Sequence, residues 1–185
     1  RMLHASRYVE VYRKIRASQK DFISFCLKPE QASAVTLQPI TRYGFHAAII
    51  FSDILMIPWA MERNVRFKTG IGPLLDAMEE PDEIDTSCLN GLNEKLAPVG
   101  QALTLTQAAL PSETTLIGFA GAPWTLVTYM AEGGTSRDFP KARKWAWQNK
   151  KALDGLLEIL VNATISFLSL QAKSGAQALM FFDSW

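Results

Sequence analysis

The chain has 185 residues, 48% of them hydrophobic and 20% charged, with a formal net charge of +1. An apolar half with 10% aromatics excludes a disordered chain, and 19 basic residues set against 18 acidic ones argue against a dedicated nucleic-acid binder. Two distant cysteines, Cys26 and Cys88, exclude a disulfide scaffold or a zinc cluster within this segment, and they fit a reducing compartment.

The stretch from Phe45 to Met61 is interrupted by His46, Asp53 and Pro58, so no membrane span is expected there. The chain opens on Arg1 with no signal-like segment and stops at Trp185 after an apolar run. The expectation is a segment of a longer polypeptide, incomplete at both ends.

In chain order, Arg7 to Lys28 mixes charges with apolar residues and reads as short amphipathic helices. Pro29 and Gly44 bracket a further helix, with Pro39 expected to kink it. The run 47–51 reads as a buried strand followed by Ser52-Asp53. A loop-rich excursion follows, in which 65–68 alternate like an exposed strand, and then an acidic surface segment ending at Asp85. Helical spacing predicts helices over 89–110, 124–131 and 140–174, the last broken near Asn149. Strands are predicted at 115–120 and 176–182. Strands separated by long helices imply βα units and a parallel sheet, an α/β fold. Either a (β/α)8 barrel or an open doubly wound sheet meets this pattern. Both place their sites at the carboxyl ends of the strands.

Three groups are candidates to carry chemistry. Asp53 follows an apolar strand directly, where a carboxylate faces a ligand or caps the next helix. Arg7, Arg13, Lys14 and Arg16 form a basic cluster suited to carboxylates or phosphates, or a plain solvated face. Small residues over 118–122 would let a flat ligand approach the backbone, without the spacing of a phosphate-gripping loop. Tyr129 could point its hydroxyl at the same mouth or pack. His4 and His46 have no metal-ligand partners at helical spacing, and no metal site is expected.

The runs Phe51-Ser52-Asp53-Ile54-Leu55, Val35-Thr36-Leu37-Gln38-Pro39 and Ile117-Gly118-Phe119-Ala120-Gly121-Ala122-Pro123-Trp124-Thr125-Leu126 resemble uroporphyrinogen decarboxylases. So do Thr128-Tyr129-Met130-Ala131-Glu132-Gly133-Gly134 and Gly175-Ala176-Gln177-Ala178-Leu179, in order across the chain. The resemblance implies that residues 1–185 are the N-terminal portion, about half, of one (β/α)8 barrel domain. It implies a cytoplasmic homodimer without cofactor, with plastid or mitochondrion as eukaryotic alternatives. The activity it implies is a carboxy-lyase that converts the four acetate side chains of uroporphyrinogen III to methyl groups in haem biosynthesis.

Carried over residue by residue, Asp53 matches the family carboxylate that binds pyrrole N–H groups, while Arg7, Arg16, Ala5 and Tyr129 match substrate-binding positions. The family's motif arginine, glutamine and glycine are Leu3, His4 and Ser6 here, and an aspartate before the Asp53 strand is His46. These departures imply an alternative, a catalytically degenerate member kept as a tetrapyrrole-binding or structural subunit. A corrinoid-dependent methyltransferase of the same superfamily is a third reading, which the Phe119-Ala120-Gly121-Ala122-Pro123-Trp124-Thr125 string opposes.

Overall fold

The computed structural model describes Tyr12, residues 21–68 and residues 70–184. Leu3, His4, Ala5, Ser6, Arg7, Arg13, Lys14 and Arg16 lie outside the described residues. The chain packs as two compact units. The first is Arg1–Asp53, Leu96–Ala120 and Leu168–Met180; the second is Ile54–Lys95, Gly121–Phe167 and Phe181–Trp185.

Helix α1 (Phe22–Cys26) starts where the Asp21 carboxylate accepts the Ser24 N–H at 2.8 Å. Helix α2 (Pro29–Tyr43) has proline in its first turn and ends on Gly44 at φ 64°, whose N–H donates to the Ile40 carbonyl. Pro39 lies inside α2, and the helix continues through it as one element. Strand β1 (Ala47–Ile49) and the short α3 (Met56–Ala60) follow, then the strands β2 (Arg66–Lys68) and β3 (Gly72–Leu74).

Helix α4 (Leu92–Ala109) begins later than the periodicity predicts. The Asp85 carboxylate caps a separate 3-10 turn over Thr86–Leu89, and Gly91 at φ 69° then turns the chain. After it come β4 (Thr115–Gly121), α5 (Pro123–Glu132), α6 (Pro140–Gln148), α7 (Lys150–Lys173) and β5 (Ala178–Phe182). The predicted break falls at Asn149, whose φ of −136° and ψ of 45° separate α6 from α7.

β1, β4 and β5 form one sheet in the order β1-β4-β5. β1 runs parallel to β4, with Ala47 opposite Thr115 and Ile49 opposite Ile117. The Gln177 N–H donates to the Leu116 carbonyl near the start of β4, and the Ala122 N–H to the Phe182 carbonyl at its end, so β5 is parallel too. The α/β reading with a parallel sheet therefore holds. The exposed strand expected at 65–68 is β2, which pairs antiparallel with β3.

In the first unit, α7 reaches the sheet through Gln171, which is fully buried. Its Oε1 accepts the Phe119 N–H and its Nε2 donates to the Phe119 carbonyl, both at 2.8 Å. Gly118 leaves room for that amide, since a Cβ there would stand 2.4 Å from Gln171 Oε1.

In the second unit, Gly133 ends α5 at φ 75°, and its N–H donates to the Tyr129 carbonyl. A Cβ at Gly133 would lie 3.0 Å from the Leu75 carbonyl oxygen, so position and conformation both call for glycine. The Glu132 carboxylate accepts the Lys141 and Ala142 N–H groups, which fixes the start of α6.

The apolar segment long enough to raise the question of a membrane is α7, by length and composition, rather than 45–61. Its Leu153, Leu156, Leu160, Ala163 and Phe167 recur at helical spacing and are buried, so one face of the helix packs into the core, while Val161 and Ile165 on it are exposed.

Candidate active site

The carboxyl end of β1 is tied to the rest of the first unit by backbone and side-chain contacts. The Ile50 N–H bonds the Ile117 carbonyl at 3.0 Å, carrying the pairing one residue beyond the strand. The Phe51 ring is then clasped by Phe25, Phe22 and Tyr12, at centroid distances of 4.7, 5.6 and 5.8 Å. The Phe51 N–H donates to Thr36 Oγ1 at 2.9 Å, and the buried Thr36 hydroxyl donates in turn to the Ala32 carbonyl at 2.7 Å. Two residues on, Asp53 is half-buried.

Asp53 does not occupy the helix-cap position. α3 begins only at Met56, with Leu55 at the cap and no side-chain cap bond. Directly before Asp53, the enclosed Ser52 Oγ has no hydrogen-bond partner among the described residues. Thr36 went unnoticed in the sequence as a contributor, though it stands inside the Val35-Thr36-Leu37-Gln38-Pro39 run.

Thr36→Val would take the Thr36 acceptor from the half-buried Phe51 N–H, so a loss of about 1–3 kcal/mol is expected. Thr36→Ser should recover most of it, and denaturant unfolding of the two variants is the check.

In the second unit, the turn after β4 is closely packed. A Cβ on Gly121 would meet Leu126 Cδ2 at 2.7 Å and the Ile54 carbonyl oxygen at 3.2 Å. The space on the Cβ side of Gly121 is therefore filled by the protein itself, so internal packing alone calls for glycine there. Tyr129 stands half-buried on α5. After β5, Asp183 Oδ1 accepts the Thr125 hydroxyl at 3.0 Å and the Ser184 N–H at 2.9 Å. That carboxylate joins the turn after β5 to the first turn of α5. A polar pair following an apolar strand was the visible signal for it; its partner Thr125 was not.

His46 sits at the opposite end of β1 from Asp53, exposed, with its carbonyl accepting the Thr115 N–H. His46 therefore lies at the amino end of the strand. No group of three His, Cys, Asp or Glu that could hold a metal occurs among the described residues. Burial, and next the Asp85 charge, push the Cys88 thiol up, which keeps it protonated near neutral pH. The hydrogen bond and charge of Lys95, 2.8 Å away, hold Glu62 below the usual glutamate range on the exposed surface.

A family model described as uroporphyrinogen decarboxylase (URO-D) matches residues 1–185. Uroporphyrinogen decarboxylases of Maricaulis maris and Caulobacter vibrioides are 46% and 47% identical over 184 residues, covering all of this chain and 53% and 52% of their own lengths. That of Rickettsia massiliae is 44% identical, with 53% of its length covered. The chain thus spans about half the length of the curated relatives it matches. Among solved structures, a methyltransferase from Methanosarcina mazei superposes with a TM-score of 0.74 over 92% of this chain and 50% of its own, at 14% identity, a likeness of fold alone.

Proposed function

The chain belongs to the uroporphyrinogen decarboxylase family, and from that premise we propose that the full protein converts uroporphyrinogen III to coproporphyrinogen III in haem biosynthesis. Residues 1–185 are then the N-terminal portion of one (β/α)8 barrel domain, whose remaining strands pair beyond β5. The observation that carries this reading is the placement of Asp53 at the carboxyl end of a parallel strand, where α/β proteins keep their chemistry. The Thr36–Phe51 bond and the aromatic clasp support a fixed carboxylate there.

The chemistry follows from the pyrrole. A proton adds to a ring carbon and makes the ring cationic. The electron pair of the C–CO₂ bond flows into that cation as CO₂ leaves. The exocyclic carbon then takes a proton and the ring carbon loses one, which leaves a methyl group. Each acetate thus consumes one proton and releases one CO₂. Asp53 accepts the pyrrole N–H groups and stabilises the cation more than water would. No cofactor enters this sequence.

Arg7 and Arg16 pair substrate carboxylates, Ala5 supplies a backbone contact, and Tyr129 lends its hydroxyl. The protein works as a cytoplasmic homodimer without nucleic-acid partners. The second reading, a catalytically degenerate binder, is favoured by Leu3, which neither donates a proton nor pairs a carboxylate.

The deciding test is coproporphyrinogen formation from uroporphyrinogen by the full-length protein. Product at an ordinary rate retires the degenerate reading; binding without product retires the enzyme, and a rise in Leu3→Arg would identify the cause. Arg7→Ala is expected to weaken binding of an octacarboxylate porphyrinogen by roughly 1.5–3 kcal/mol, and less for an analogue with fewer carboxylates. Equal weakening in calorimetric titrations of both ligands would assign Arg7 to packing.

A further inference from the structure

Helix α5 opens without a cap of its own. Ala122 stands at the cap position with no side-chain bond, and the first turn holds no acid. The positive pole that a helix N-terminus carries is met instead from another element of the second unit. Asp183 directly follows β5, and its Oδ1 accepts the Thr125 hydroxyl at 3.0 Å. Beside it, the Ala122 N–H bonds the Phe182 carbonyl at 2.9 Å.

Thr125 uses its hydroxyl differently from other buried helix threonines. Thr36, Thr106 and Thr164 turn theirs back onto the carbonyl four residues earlier in their own helix, each at 2.7 Å. Thr125 is only 2% exposed and reaches a carboxylate 58 positions away. The other end of α5 is tied by main-chain bonds, from the Leu75 N–H to the Gly133 carbonyl at 3.0 Å and from the Met78 N–H to the Met130 carbonyl at 2.9 Å.

A helix of ten residues held at both ends has a fixed rotation about its axis. Thr125 and Tyr129 are four residues apart and so share one helix face. The bond that fixes Thr125 therefore sets the bearing of the half-buried Tyr129 one turn on.

We propose that Asp183 is a positioning residue for substrate binding: through Thr125 it sets the rotation of α5 and so holds the Tyr129 hydroxyl where the tetrapyrrole meets it. This rests on the substrate role of Tyr129 proposed above and names the groups that keep that hydroxyl in place. Asp183 acts through Thr125 rather than on the substrate.

The test is the KM of the full-length protein for uroporphyrinogen III, or its Kd by anaerobic titration if the protein binds without forming product. Thr125→Val is nearly isosteric and lacks the hydroxyl. It is expected to raise that constant about tenfold, with any kcat within about twofold of wild type. Asp183→Ala should have the same effect, and because Asp183 is exposed the fold does not hinge on its side chain. Thr125→Ser keeps the hydroxyl and should return the constant to within about twofold of wild type.

Non-additivity separates positioning from plain stabilisation. Tyr129→Phe alone should raise the constant, and Thr125→Val added to it should raise it no further. The melting temperature should fall equally when Thr125→Val is made in either background. A further rise of about tenfold in the Tyr129→Phe background would overturn the proposal and leave the substrate role of Tyr129 standing. An unchanged constant in both Thr125→Val and Asp183→Ala, with a lower melting temperature, would make the bond purely structural and overturn it too. No effect of Tyr129→Phe, or a wild-type protein that does not bind uroporphyrinogen, would remove the underlying reading and the proposal with it.

Discussion

Asp53→Asn in the full-length protein is expected to lower decarboxylation roughly 10²-fold or more, the effect of removing a key electrostatic stabiliser. Asparagine keeps the size and one acceptor oxygen but loses the charge, which matters most when the pyrrole becomes cationic. Substrate affinity should therefore fall less than turnover. The melting temperature should stay near that of the wild type, because asparagine matches aspartate in size and holds a helix start about as well, and α3 starts at Met56 with Leu55 at its cap. The three measurements are coproporphyrinogen formation, porphyrinogen affinity and thermal unfolding on one variant. Turnover equal to wild type in an active enzyme would remove Asp53 from the mechanism.

The second large effect is expected at Gln171, far from any chemistry. Its side-chain amide closes both backbone groups of Phe119 at 2.8 Å within a fully buried site. Gln171→Leu has a similar reach and satisfies neither group. Each orphaned buried polar group costs about 1–3 kcal/mol, so a combined loss of roughly 2–5 kcal/mol is expected in denaturant unfolding.

Gly118→Ala should be severe on its own, because its Cβ would stand 2.4 Å from Gln171 Oε1. In a Gln171→Ala background that clash is gone, although Leu179 Cδ2 at 3.1 Å and the Ala176 Cβ at 3.2 Å remain close. The two substitutions should therefore cost less together than the sum of each alone. A loss under about 0.5 kcal/mol for Gln171→Leu, the size of an ordinary surface change, would show that the two bonds contribute little.

Local patterns carried much of the fold. Pro29 and Gly44 mark α2 because a missing N–H is harmless in a first turn and a left-handed residue ends a helix without strain. The apolar runs around β1, β4 and β5 were legible as short contiguous β-rich strings; β4 is mostly buried, whereas β5, read in sequence as a buried strand, leaves Leu179 and Phe181 exposed. Asn149 was legible as a break through the change in spacing around it.

Other features misled for equally local reasons. The small residues over 118–122 look in sequence like a ligand-facing surface, whereas the space beside Gly118 and Gly121 is taken by Gln171, Leu126 and Ile54. The helix expected from Leu89 starts at Leu92, because an Asp85 cap diverts the chain into a 3-10 turn first. In the candidate site, the motif strings singled out Asp53 and Tyr129, while Ala5, Arg7 and Arg16 lie outside the described residues.

By itself, then, the sequence determined the order of helices and strands, the parallel α/β class and the family. Each of these rests on propensity, periodicity or a contiguous string of residues. Tertiary structure alone decided which residues hold the site in place. Thr36 reaches Phe51 across 15 positions and Gln171 reaches Phe119 across 52. A threonine or glutamine with its polar atoms turned inward has the same place in a helical repeat as one turned to solvent. What distinguishes it is a backbone group on a different element, brought within 3 Å by folding.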